Sequence, residues 1–152
     1  MAFSRRYWLV LALCLALQGL GQVRADLVVL HTNDVHCGVE NQLGYAQLAQ
    51  YKKDLMKNPD DTVQLVDAGD AIQGEPLGSL TRGQAVIDIM NVAGYDSAIP
   101  GNHEFDYGVA RLLELAPQLA GGYYSCNLVD LRTGKTVFPP CKMVAYDGGK
   151  KA

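Results

Sequence analysis

Five consecutive residues, Asn102-His103-Glu104-Phe105-Asp106, bring together an amide, an imidazole and two carboxylates directly after Pro100-Gly101. Packing does not call for such a run where a buried strand ends. A glycine there lets the backbone turn so that neighbouring side chains point into a crevice. Two further groups precede it, Asp34-Val35-His36 and Asp67-Ala68-Gly69-Asp70. Asp34 and Asp70 are 36 residues apart, and Asp70 and Asn102 are 32 apart, close to one strand-helix-strand step each. Carboxylate, imidazole and amide donors suit borderline divalent ions such as Zn, Mn, Fe or Co. Two such ions about 3.5–4 Å apart need a shared carboxylate, and Asp70, on the middle segment, is the natural bridge. Asp34 and His36 then complete one side and Asn102 the other. A hydroxide shared by the ions would attack phosphorus in line with the leaving group. His103 faces the substrate beside Asn102 and steadies or protonates the leaving oxygen. Asp106, placed at the start of a helix, fixes the tautomer of His103 and raises its basicity.

Other polar residues read more plainly. Asp67 and Glu104 are expected as supporting or solvated carboxylates, and His31, inside a strand run, as a hydrogen-bonded core histidine.

The elements that must position these groups alternate. Leu27 to Leu30 reads as a strand buried on both faces, and Tyr45 to Lys57 as a helix stopped by Asn58-Pro59. Thr62 to Val66 is a second strand and Ala68 to Thr81 a glycine-containing loop. Val86, Ile89, Met90 and Ala93 mark a helix ended by Gly94, Ser97 to Ile99 is a third strand, and Val109 to Ala116 is a third helix. A fourth strand is expected at Tyr123 to Cys126, a hairpin turn at Arg132 to Lys135, and a last strand at Met143 to Tyr146. This order predicts an α/β fold with a largely parallel sheet covered on both faces. Ligands bind outside the carboxyl ends of such strands, where all three groups fall.

The 152 residues, 49% hydrophobic, suit one domain or part of one. The net charge of −3 includes Arg5, Arg6 and Arg24 in an acid-free opening; without them the remainder stands at −6. That balance excludes a nucleic-acid polymer as the expected partner. Arg5-Arg6, the apolar stretch Tyr7 to Leu17 and Val23-Arg24-Ala25 read as a signal peptide (1–25) cleaved after Ala25. The stretch is shorter than the roughly 20 residues that span a bilayer, so a secreted or periplasmic product without a membrane span is expected. Three cysteines then remain. Cys126 and Cys141 could pair and leave Cys37 alone, or all three could be small buried apolar residues.

Asp34-Val35-His36, Gly69-Asp70 and Gly101-Asn102-His103-Glu104 resemble the D-x-H, G-D and G-N-H-[DE] blocks of the calcineurin-like metallophosphoesterases. The wording around them, His31 to Asp34, Asp67 to Asp70 with Gln73-Gly74, and Gly101 to Gly108, is similar to the secreted 5′-nucleotidase branch. That branch includes 2′,3′-cyclic nucleotide phosphodiesterases and UDP-sugar hydrolases. The resemblance implies a four-layer α/β/β/α domain, two divalent metals, and a nucleotide or other phosphate ester as substrate. It implies Asp34, His36 and Asp70 as ligands of the first metal, Asp70 and Asn102 as ligands of the second, His103 and Asp106 as the catalytic pair, and Asn102 with His103 at the substrate. The family pattern continues with a lone histidine and a G-H-x-[HQ] block, whereas the only histidines here are His31, His36 and His103. Residues 26–152 therefore read as the N-terminal portion of the domain, incomplete at the C-terminus and expected to be inactive alone. The alternative is a non-catalytic product that binds metal or a partner weakly.

Overall fold

The computed structural model describes residues 26–41, 43–146 and 149–152. The expected signal segment and its cleavage point lie outside these residues. Among the described residues no helix is long and apolar enough to cross a membrane.

Three parallel strands, β1 (Leu27–Thr32), β2 (Thr62–Asp67) and β3 (Ser97–Ala98), form a sheet in the order of the chain. The register pairs Leu27 with Thr62 and Thr32 with Asp67, then Asp67 with Ala98. Helix α1 (Gly44–Leu55) follows β1, α2 (Pro76–Thr81) and α3 (Gln84–Ala93) follow β2, and α4 (Val109–Leu115) follows β3. Asn58-Pro59 lies just beyond α1, and Gly94, at φ 81°, caps α3, as the breaker residues require.

Sequential parallel strands joined by right-handed crossovers carry their helices on the same side. The burial agrees. Val63, Leu65, Asp67 and Ala98 are buried, and Leu65 and Ala98 share one core with Tyr45 and Leu48 of α1, Val86, Ile87, Met90 and Ala93 of α3, and Leu112 and Leu115 of α4. On the opposite face Val29 and Ile99 are about half exposed and His31 is exposed. One face of the sheet is packed and the other is open, which corrects the both-faces reading of the element order and agrees with the partly uncovered face that the family resemblance implies for a sheet without its second layer. For the same reason β1 is not buried on both sides. It is an edge strand with alternating exposure, and His31 points out of the core because it shares the open face with Val29.

Three other expectations change. The segment 68–81 is not all loop, because Pro76, with its φ preset for a first helical turn, opens α2. The expected strand at Tyr123 reduces to one parallel bridge, Ala98 to Tyr123. Beyond it the expected hairpin forms as β4 (Val129–Asp130) against β5 (Lys135–Thr136), with Gly134 at φ 67° in the turn. β6 (Ala145–Tyr146) pairs with β7 (Lys150–Lys151). The cysteines follow neither expectation: all three are free, with Cys37 buried and Cys126 and Cys141 exposed.

Lys52 is buried although it carries a charge. Its ammonium donates to Gly94 O at 2.5 Å and to Asp96 Oδ2 at 2.6 Å, and Asp96 Oδ2 also accepts the Leu65 N–H at 2.7 Å. One ion pair thus ties α1, β2 and the turn after α3, which fixes the approach to β3.

Candidate active site

The pairing of β1 with β2 does not stop at the strand ends. Asp34 N–H donates to Gly69 O (3.0 Å), His36 N–H to Asp70 O (2.9 Å) and Cys37 N–H to Ala71 O (3.0 Å). The loop after β1 therefore runs alongside the loop after β2, and this sets Asp34 and His36 beside Asp70. The path requires left-handed backbone at Asp34 (φ 55°), His36 (φ 49°), Cys37 (φ 62°) and Asp70 (φ 60°). Such conformations in residues with a Cβ cost free energy and concentrate at functional sites.

The third loop is held to the second at very short range. A Cβ on Gly69 would lie 2.7 Å from Gly101 N, and one on Gly101 would lie 2.7 Å from the Asp70 carboxyl carbon and closer still to Oδ1. Only hydrogen fits at both positions. His103 N–H donates to Asp70 Oδ1 at 2.7 Å, so the Asp70 carboxylate is oriented by the residue that follows Asn102.

Donor atoms of His36, Asp70 and His103 all lie within 4.8 Å of one another, one from each loop. The two imidazole centroids are 5.0 Å apart, edge to face. His36 Nδ1 lies 3.0 Å from the Gln73 carbonyl. A carbonyl only accepts, so Nδ1 carries the proton and Nε2 keeps its lone pair, the arrangement that supports metal ligation. That nitrogen is 3.8 Å from Asp34 Oδ1, while Asp34 Oδ2 accepts a hydrogen bond from Asn33. Asp34 thus adjoins the three-residue group from its exposed side. Asn102 is exposed at the head of the short 3₁₀ turn His103–Phe105. This donor set, two imidazoles and a nearly buried carboxylate with another carboxylate alongside, fits a borderline divalent ion.

His103 has a second partner: Nδ1 donates to Asp106 Oδ2 at 2.8 Å. This bond, joined by the negative charges of Asp106, Asp70 and Glu104, raises the imidazole above its ordinary pKa despite some desolvation. Asp106 reaches His103 from the end of the 3₁₀ turn rather than from the start of a helix, since α4 begins three residues later.

The two carboxylates expected as supporting or solvated groups are both buried. Asp67 is 3% exposed; it accepts from Thr32 Oγ1 (2.5 Å) and from Gly69 N–H (2.9 Å), and burial pushes its carboxyl up to about 6. Glu104 is 1% exposed and accepts four backbone N–H groups, those of Asp70 (2.7 Å), Ala71 (2.8 Å), Ile72 (3.3 Å) and Gly101 (2.6 Å). No signal in the sequence marks this role of Glu104, because all four partners are backbone amides.

The calcineurin-like phosphoesterase family matches residues 27–149. A 5′-nucleotidase of Mus musculus is 35% identical over 122 residues, covering 70% of this chain and 21% of that protein. A 2′,3′-cyclic-nucleotide 2′-phosphodiesterase/3′-nucleotidase of Yersinia enterocolitica is 32% identical over 137 residues, covering 78% and 21%. Among solved structures, a 5′-nucleotidase precursor from Thermus thermophilus superposes with a TM-score of 0.70 at 28% identity, covering 82% of this chain and 27% of that one. The chain spans about a fifth of the length of the curated relatives it matches. With its three loops converging on one donor group, and with the family match running through nearly all of the described residues, the chain belongs to the calcineurin-like phosphoesterase family.

Proposed function

We propose that this chain carries the N-terminal share of a two-metal site that hydrolyses phosphate esters of nucleotides, and that by itself it binds metal without efficient turnover. The observation that supports this most is the convergence of His36, Asp70 and His103, with His36 already oriented by the Gln73 carbonyl. Relatives named as nucleotidases point to the substrate class. Asp34, His36 and Asp70 would hold one ion, and Asp70 with Asn102 the other. When bound, the ions would supply Lewis-acid charge and a water of lowered pKa for displacement at phosphorus.

The remaining work belongs to the chain's own side chains. His103, with Nδ1 held by Asp106, offers Nε2 toward the substrate and delivers a proton to the leaving oxygen. Its raised pKa favours the protonated form, which suits an acid and opposes a permanent place among the metal ligands. Asn102 and His103 together contact the phosphate. Residues 1–25 direct export, so the nucleotide is met outside the cytoplasm.

Phosphate release from AMP with added Mn²⁺ or Co²⁺ tests the reading on this chain and on a product whose frame continues past Ala152. The longer product should be active and lose about 10²–10⁴ in rate on His103→Ala. A loss below tenfold removes His103 from the chemistry, and full activity in the 152-residue chain removes the partial-site reading.

A further inference from the structure

Glu104 touches neither an expected metal ligand side chain nor the substrate position, yet it is the most heavily bonded side chain around the site. Oε2 accepts from Asp70 N–H and Gly101 N–H at once, which spans the second and third loops. Oε1 accepts from Ala71 and Ile72. The four donors form a cradle of backbone amides around an anion, of the kind that strained loop backbone creates, and Asp70 itself sits at φ 60°. A fully buried carboxylate with four donors and no cationic side chain among its hydrogen-bond partners is an internal substitute for a bound anion.

From this geometry we infer that Glu104 is the positioning residue of the site. It holds the Asp70 and Gly101 loops at one separation, and so sets how tightly Asp34, His36 and Asp70 bind a divalent ion. The reason is mechanical. The Asp70 carboxylate is fixed at its backbone by Glu104 Oε2 and at its side chain by His103 N–H, and His103 follows Gly101 by two residues. Release of the shared oxygen frees both ends of that link together. The loops it joins approach so closely that neither Gly69 nor Gly101 has room for a Cβ. The inference deepens the metal reading above and rests on it for its affinity arm only.

The test uses the intact chain. In Glu104→Gln one oxygen becomes an amide NH₂ that faces two N–H donors, so either orientation of the amide leaves two amides unpaired. Mn²⁺ affinity of the folded protein, measured by titration, should fall about 10–100-fold, the scale for removing an outer partner of a metal ligand. Leu65→Val, a core change away from the loops, should lower stability while leaving Mn²⁺ affinity within about twofold, since Ile-to-Val-sized deletions leave the surrounding structure in place. Equal affinity losses in the two variants, or no loss in Glu104→Gln, overturn the inference. A second arm needs no variant: in the metal-free wild type, the amides of Asp70, Ala71, Ile72 and Gly101 should exchange hydrogen as slowly as the β2 amide of Leu65. Exchange of the four at loop-like rates overturns the clamp even if Glu104→Gln fails to fold. Should the wild type bind no Mn²⁺, the metal reading falls, and slow exchange of the four amides still supports the clamp.

Discussion

Replacement of Gly101 by alanine isolates the closest approach in the site. Gly101 does not adopt a positive φ, so alanine brings no backbone strain. Its Cβ would lie 2.7 Å from both Cγ and N of Asp70, where carbon contacts settle at about 3.5–4.0 Å. The loops must therefore part by roughly 1 Å. That opening lengthens the Gly101 N–H bond to Glu104, now 2.6 Å, and the His103 N–H bond to Asp70, now 2.7 Å. Overpacking costs about 1–3 kcal/mol, and loss of one hydrogen bond to a charged group costs about 1.5–3 kcal/mol. Together they place the expected destabilisation at about 2.5–6 kcal/mol. Urea denaturation measures it, with Gly134→Ala as the control. At Gly134 a Cβ meets nothing within 4 Å and only the left-handed backbone resists, so about 1 kcal/mol is expected there. A loss in Gly101→Ala no greater than in Gly134→Ala would refute the close-approach argument.

Two pH dependences follow from the shifted groups. Asp67 titrates near 6 in the folded chain and near 3.9 in the unfolded one. Between these values the folded state holds a proton that the unfolded state has lost, so stability is highest below the unfolded value and declines as pH rises through about 6. The difference amounts to about 3 kcal/mol on the scale of 1.36 kcal/mol per unit. Asp67→Asn should flatten that decline in denaturation series run from about pH 4 to 7; an unchanged slope would show that Asp67 does not carry it. On the proposed reading His103 acts as its protonated form, so the rate of nucleotide hydrolysis should fall as pH rises through its raised pKa. Asp106→Asn removes the main cause of that elevation and should move the falling limb to lower pH, which a rate profile reads directly; a limb that stays in place would exclude His103 as the acid.

The parts of this architecture that were legible in the sequence are those governed by local chemistry. Helical spacing of Val86, Met90 and Ala93 with Gly94 after them gave α3 to within a residue or two, and the strand-end positions of Asp34, Asp70 and Asn102 placed the loops on one edge. What escaped was decided by distant partners. Whether Val29 and His31 face a core depends on which side the crossovers carry the helices, and that follows from strand order, not from the composition of β1. The burial of Lys52 depends on Asp96, 44 residues later. Glu104 looked like one more polar residue in a polar run because its four partners are backbone amides, which have no sequence signature. The left-handed backbone at His36, Cys37 and Asp70 was equally hidden, since even Asp and His, which adopt a positive φ more readily than most residues, do so at only a small minority of positions.

The account depends most on Asp70 as the ligand common to both ions. Metal content and Mn²⁺ titration of Asp70→Asn beside the wild-type chain test that role, with circular dichroism to establish that the fold is kept. The variant should lose all bound divalent ion while His103→Ala retains it. A folded Asp70→Asn protein that stays metal-replete would contradict the shared-ligand site.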